Sequence, residues 1–116
     1  MKSNPALFSA TELLNAYARK TLSPVEVTKA ILKRIEKYNS IFNAYRLYDP
    51  ETAMIEAKAS ETRWVNGTPC GLTDGIPTSI KDLVATKGWS TRRGSLTTND
   101  IGSWKEDAPL VARLRS

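Results

Sequence analysis

The run Gly75-Ile76-Pro77-Thr78-Ser79-Ile80-Lys81-Asp82-Leu83 sets one lysine in a short apolar stretch directly after a Gly-x-Pro turn. Read as a strand over 78–84, it places Ser79, Lys81 and Leu83 on one face and Ile80 and Asp82 on the other. A lysine held in such a run can lose part of its hydration, and desolvation is what turns an ammonium into a usable base. On chemistry alone the competing reading is a solvated Lys-Asp pair at a strand edge. Residue types elsewhere narrow the field. The sequence has no histidine, and Cys70 is its single cysteine. Ser-His and Cys-His pairs, the usual zinc constellations and an internal disulfide are therefore excluded within these 116 residues. Proton transfer falls to Lys, Asp, Glu or Tyr.

A chain of 116 residues suits one small domain or a piece of a larger one, and 41% hydrophobic with 25% charged residues is ordinary for a soluble globular protein. No apolar run approaches the roughly 20 residues that span a bilayer, and Met1-Lys2-Ser3-Asn4-Pro5 begins no secretory signal. The expectation is a cytoplasmic protein with no membrane partner. The net charge of +5 raises nucleic acid as a partner, but it is spread evenly: +3 over 1–58 and +2 over 59–116, with acidic residues interleaved. Aromatics do not alternate with the basic residues as a stacking surface requires, so no nucleic-acid partner is expected.

The elements that must position the lysine begin with two capping boxes. Ser9-Ala10-Thr11-Glu12 opens a helix over 10–19, and Ser23-Pro24-Val25-Glu26, with proline at the first helical position, opens another over 24–38. Val25, Thr28, Ile31, Leu32 and Ile35 form the core-facing stripe of the second. Phe42 to Tyr48 alternates and is rich in aromatics, which predicts a strand. Asp49-Pro50 caps a third helix that Asn66-Gly67 ends near Val65. Beyond Gly67 the chain is dense in Gly, Pro, Ser and Thr. Here 78–84 reads as a strand, Lys87-Gly88-Trp89 as a turn, Ser90-Thr91 as a short strand or a loop, and 97–105 as irregular. Asp107-Ala108-Pro109 then caps a fourth helix with no terminal stop signal.

Several of these segments together resemble the amidase signature family. The carriers are Gly71-Leu72-x-x-Gly75-Ile76-Pro77-x-x-Ile80-Lys81-Asp82-Leu83, Thr86-Lys87-Gly88-Trp89-Ser90-Thr91-x-x-Gly94-Ser95 and Asp107-Ala108-Pro109-Leu110-Val111-x-Arg113-Leu114. Upstream, Ser23-Pro24-Val25-Glu26-Val27-Thr28, Arg34-Ile35-Glu36-x-Tyr38-Asn39 and Asn43-Ala44-Tyr45 are similar to the family's N-terminal helices and following strand. The resemblance implies an α/β fold: an N-terminal fragment of the family's α/β/α arrangement around a mixed sheet, helices first (1–66, with one strand) and then a catalytic-lysine strand and loop region leading into a truncated helix (67–116). It implies amide hydrolysis by a Ser–cis-Ser–Lys triad, with Lys81 as the base, a small amide as substrate, and no cofactor or metal.

The resemblance also marks what the chain lacks. The family's two serines lie in a Gly-Gly-Ser-Ser-Gly-type segment, and neither Gly-Gly nor Ser-Ser occurs here. The nucleophile and cis serine are thus absent, Ser79 is no substitute, and the chain alone is expected to be inactive. Asp82 either orients the lysine region through hydrogen bonds or forms a surface ion pair. Gly94 and Ser95 either line the substrate side or simply make a tight turn. Cys70 reads as a small filler, and Trp64, Trp89 and Trp104 as packing residues. Asp82-Leu83 and Arg93-Gly94-Ser95 look more like the general amidases than the glutaminyl-tRNA amidotransferases, whose amidase component is the alternative within the enzyme class. The non-enzymatic alternative is a truncated fragment whose exposed strand edges make it self-associate or complement a partner.

Overall fold

The capping signals fold as their chemistry dictates. The computed structural model describes residues 4–98 and 103–116. Ser9 and Ser23 each accept the amide of a glutamate three residues on, and Glu12 and Glu26 reach back to the serine amides at 2.8 and 2.9 Å. Helix α1 spans Ala10–Ala18, and α2 spans Pro24–Phe42, four residues beyond the expected end. Asp49 accepts the Thr52 amide at 3.0 Å and opens α3, Pro50–Val65. Gly67, at φ +71°, closes α3: its N–H donates to the Trp64 carbonyl, and the Thr68 N–H donates to the Arg63 carbonyl. That pair of bonds is the Schellman stop expected of Asn66-Gly67.

Two compact units result, Met1–Pro77 and Thr78–Ser116. The first holds the apolar core of Leu13, Tyr17 and Val27, covered by Phe8, Leu14, Leu22, Ile31, Trp64 and Ile76. Tyr17 is 1% exposed and packs its ring 5.7 Å from that of Trp64, at a tilted 55°. Trp64 is thus the packing residue its type predicts.

The mixed sheet is overturned. The described residues hold four α-helices and no strand, and their one bridge pairs Lys87 with Trp104. The two expected strands fail for a shared reason: side chains and local turns claim the backbone groups that a ladder needs. Over 42–48, Phe42 finishes α2 and Asn43 turns left-handed at φ +49°. The Asn39 amide then accepts the Tyr45 N–H at 2.8 Å and donates to the Tyr45 carbonyl at 3.0 Å. Over 78–84 the Lys81 carbonyl accepts the N–H groups of both Leu83 and Val84, so the chain turns where a strand would alternate.

In the second unit, Gly88 (φ +83°) turns the chain, its N–H reaching the Trp104 carbonyl, and Ser90-Thr91 resolves as loop. Helix α4 spans Pro109–Arg115, but its N-cap is Ala108. The expected cap, Asp107, is drawn away: one oxygen accepts the Lys87 N–H at 2.7 Å and the other pairs with Arg115 at 3.2 Å. Residues 99–102 of the expected irregular segment lie outside the described residues. Trp104 is 48% exposed and donates its indole N–H to Thr91 Oγ1 at 2.9 Å, so it serves as a hydrogen-bonding group more than as packing.

Thr86 is buried, and its hydroxyl finds no partner among the described residues. A buried polar group left so costs on the order of 1 kcal/mol or more. Thr86→Val keeps the shape and removes that cost, so urea unfolding is expected to show a gain of about 1 kcal/mol. A loss of stability would reveal a bond the hydroxyl does make.

Candidate active site

Two turns meet through one carboxylate. Asp82 follows Lys81 in the first turn and is half-buried. Its Oδ1 accepts the Arg92 N–H at 2.9 Å and its Oδ2 the Gly94 N–H at 3.1 Å. The second turn closes with the Ser95 N–H donating to the Arg92 carbonyl at 3.0 Å, across Arg93 at φ +54° and Gly94 at φ +68°. Two successive positive φ angles make this a type I′ turn, which glycine enters freely and arginine only at a cost of about 1–2 kcal/mol. The amides of 92 and 94 converge on the carboxylate in the manner of a small anion nest. Ser95 Oγ shares a 2.7 Å hydrogen bond with Thr97 Oγ1 and accepts the Thr97 N–H at 3.2 Å.

The structure thus brings Asp82, Gly94 and Ser95 into one hydrogen-bonded cluster next to Lys81 in the chain. Lys81 itself is exposed, and no described residue hydrogen-bonds or ion-pairs with its ammonium. Ser79 is also exposed. Cys70 is exposed rather than filling space; its N–H donates to Asp74. Among the described residues no three metal-ligating side chains of His, Cys, Asp or Glu come together, and no helix is long and apolar enough to cross a membrane.

Sequence reading missed the most heavily bonded side chain in the first unit, Asp74. Its side chain is 4% exposed and receives Arg63 in a two-pronged pair at 2.7 Å, the Ser60 hydroxyl at 2.7 Å and the Cys70 N–H at 3.0 Å. Its carbonyl accepts the Trp64 indole N–H at 3.1 Å. The Arg63 guanidinium, first among these, holds the Asp74 carboxyl at about 2, below the ordinary 3.8. The available signal was Ser60-x-x-Arg63, two polar groups on one face of α3.

Both turns lie within a match that shows the class: the chain belongs to the amidase family, whose family model, described as Amidase, matches residues 26–116. More particular likenesses follow. The A subunit of glutamyl-tRNA(Gln) amidotransferase from Bdellovibrio bacteriovorus is 39% identical over 108 residues, covering 92% of this chain and 21% of its own. The protein of the same name from Geobacter metallireducens is 44% identical over 112 residues, covering 94% and 22%. A solved structure described as "An unexpected vestigial protein complex reveals the evolutionary origins of an s-triazine catabolic enzyme" superposes with a TM-score of 0.86 at 27% identity, over 93% of this chain and 24% of that one. The chain therefore spans about a fifth of the length of the curated relatives it matches.

Proposed function

We propose that this chain supplies the lysine-bearing part of an amidase active site. Lys81 relays protons through a cis serine: it assists removal of the nucleophilic serine's proton as that serine attacks the amide carbonyl, and returns a proton to the departing nitrogen. Water then resolves the acyl-serine, giving acid plus ammonia or amine. The observation that supports this reading is the Amidase match across 26–116, which includes Lys81 with an ammonium that no described residue engages. The 116 residues hold no Ser-Ser or Gly-Gly pair, so Lys81 acts only where both serines are supplied, and the chain alone turns over no amide. The relatives' names support a second reading, ranked below it from Asp82-Leu83 and 93–95: an amidotransferase component that passes amide nitrogen to an acceptor in concert with other subunits.

The test joins the segment to a complete site. This chain is exchanged for the matched segment of the Bdellovibrio bacteriovorus relative, and ammonia release from small carboxylic amides is followed. Lys81→Ala in that chimera is expected to lower turnover at least about a hundredfold. Lys81→Arg fails as well, since a guanidinium keeps its proton. Undiminished turnover in Lys81→Ala overturns the assignment. Ammonia that appears only when partner proteins and an acceptor are present selects the second reading.

A further inference from the structure

We infer that Asp82 is the positioning residue for Lys81, through a clasp that ties the lysine turn to the strained turn at 92–95; this rests on the role of Lys81 proposed above. Three observations on the second unit converge. The Lys81 carbonyl takes the N–H groups of Leu83 and Val84 at 2.7 and 3.0 Å, so the backbone that carries the lysine is a closed turn. The next side chain, Asp82, divides its two carboxylate oxygens between the amides of Arg92 and Gly94. Those amides belong to a turn that puts Arg93 at φ +54°, a conformation that persists only where its surroundings over-determine it. The carboxylate supplies that surrounding together with the Ser95 N–H that closes the turn on the Arg92 carbonyl.

The clasp has a direction of action. Asp82 points its carboxylate at the 92–95 turn, and its own backbone is fixed by the Lys81 turn, so the two turns hold each other at one separation. Ser95 is carried on the far side of the same turn, its N–H closing onto the Arg92 carbonyl. Loosening the clasp lets the lysine turn drift relative to Ser95 without altering any proton-carrying group. Misplacement of that kind costs turnover rather than binding.

Asparagine separates this role from a structural one. Asp82→Asn keeps one acceptor oxygen but presents an NH2 group to the second amide, so one arm of the clasp is lost. In the chimera described above, Asp82→Asn is expected to lower kcat roughly 10- to 100-fold with KM unchanged. Arg93→Gly removes the left-handed strain, so it leaves turnover unchanged in the otherwise native chimera. Added to Asp82→Asn, it recovers about fivefold of the loss, because the turn then forms with one arm. A second readout needs no activity: in the 116-residue chain, hydrogen exchange at the Arg92 and Gly94 amides accelerates in Asp82→Asn, and slow exchange in that variant overturns the clasp. Faster exchange with undiminished kcat overturns the positioning role while the Lys81 assignment stands. Undiminished turnover in Lys81→Ala instead removes the reading on which it rests. A kcat loss that Arg93→Gly does not relieve also counts against the clasp.

Discussion

Asp74→Ala is expected to lower the unfolding free energy of the 116-residue chain by about 3 kcal/mol, read by urea unfolding at low micromolar concentration. The size follows from who is left behind. Arg63 keeps its charge, but its side chain is 33% exposed and can recover much of its hydration, which holds the loss toward the lower end of the roughly 3–5 kcal/mol typical of a broken buried pair. Ser60 cannot, since it is 2% exposed and Asp74 accepts its hydroxyl proton. The Cys70 amide loses its acceptor as well. The same contacts set the pH dependence of stability. Arg63 first, then the Cys70 amide and the Ser60 hydroxyl, hold the carboxyl at about 2 against an ordinary 3.8, worth on the order of 2 kcal/mol. Because the folded value is the lower one, this stability is fully present above pH 3.8 and is lost as pH falls through 2. Tyr17 sets the opposite limb. Burial pushes its phenol from 10.0 up to about 12, so its ionisation in the unfolded chain draws stability away as pH rises from 10 toward 12. Asp74→Ala should therefore shrink the acid limb without abolishing it, since hydrogen bonds at their helix caps also hold the Glu12 and Asp49 carboxyls below their ordinary values, and leave the alkaline limb unchanged. An acid limb of undiminished size after the substitution would place the main titrating carboxylate elsewhere.

The parts of the fold legible in the sequence are those set by local chemistry. Ser9, Ser23 and Asp49 cap their helices because a side-chain oxygen two or three residues upstream of a free amide suffices to satisfy it, and Gly67 stops α3 because only the left-handed region closes that motif freely. What failed depends on groups outside the local pattern. The alternation from Phe42 to Tyr48 is real, but period-2 patterning predicts a strand only if neighbours accept its N–H groups, and Asn39 reaches Tyr45 first. Asp107 fails as a cap for the same kind of reason: Lys87, twenty residues away, offers it a better-placed amide. At the candidate site, Lys81 stands out in its apolar run and takes its role from resemblance, Gly94 and Ser95 come from the motif, and sequence leaves Asp82 open between an orienting and a surface role. The two amides on its carboxylate come from residues ten and twelve positions on, a separation no periodicity reveals. Asp74 was missed because its partners Ser60 and Arg63 lie across a loop, on a helix face that sequence alone shows only as polar.

Gly75→Ala is expected to cost about 3 kcal/mol, and comparison with Gly67→Ala separates the two causes. Both glycines lie in the left-handed region, at φ +82° and +71°, so each loses about 1 kcal/mol when a Cβ is added there. Around Gly67 a new Cβ meets nothing within 4 Å. At Gly75 it would lie 2.7 Å from Ser60 Oγ and 2.8 Å from Pro24 Cγ. Neither neighbour yields easily: Pro24 is a rigid, fully buried ring at the start of α2, and the Ser60 hydroxyl is fixed on Asp74 at 2.7 Å. Overpacking of this kind costs typically about 1–3 kcal/mol, so the Gly75 variant should fall below the Gly67 variant by about 2 kcal/mol. Tyr17 lies in the same contact, its hydroxyl donating to the Gly75 carbonyl at 3.0 Å. Tyr17→Phe removes that bond while keeping the ring, at about 1 kcal/mol, and its effect should shrink in the Gly75→Ala background, where the carbonyl has already been displaced. Equal losses at Gly67 and Gly75 would show that the Pro24–Ser60 slot has room for a methyl group. The glycine that opens the lysine-bearing motif is then required by packing between the start of α2 and the face of α3, a demand that exists whether or not Lys81 ever moves a proton.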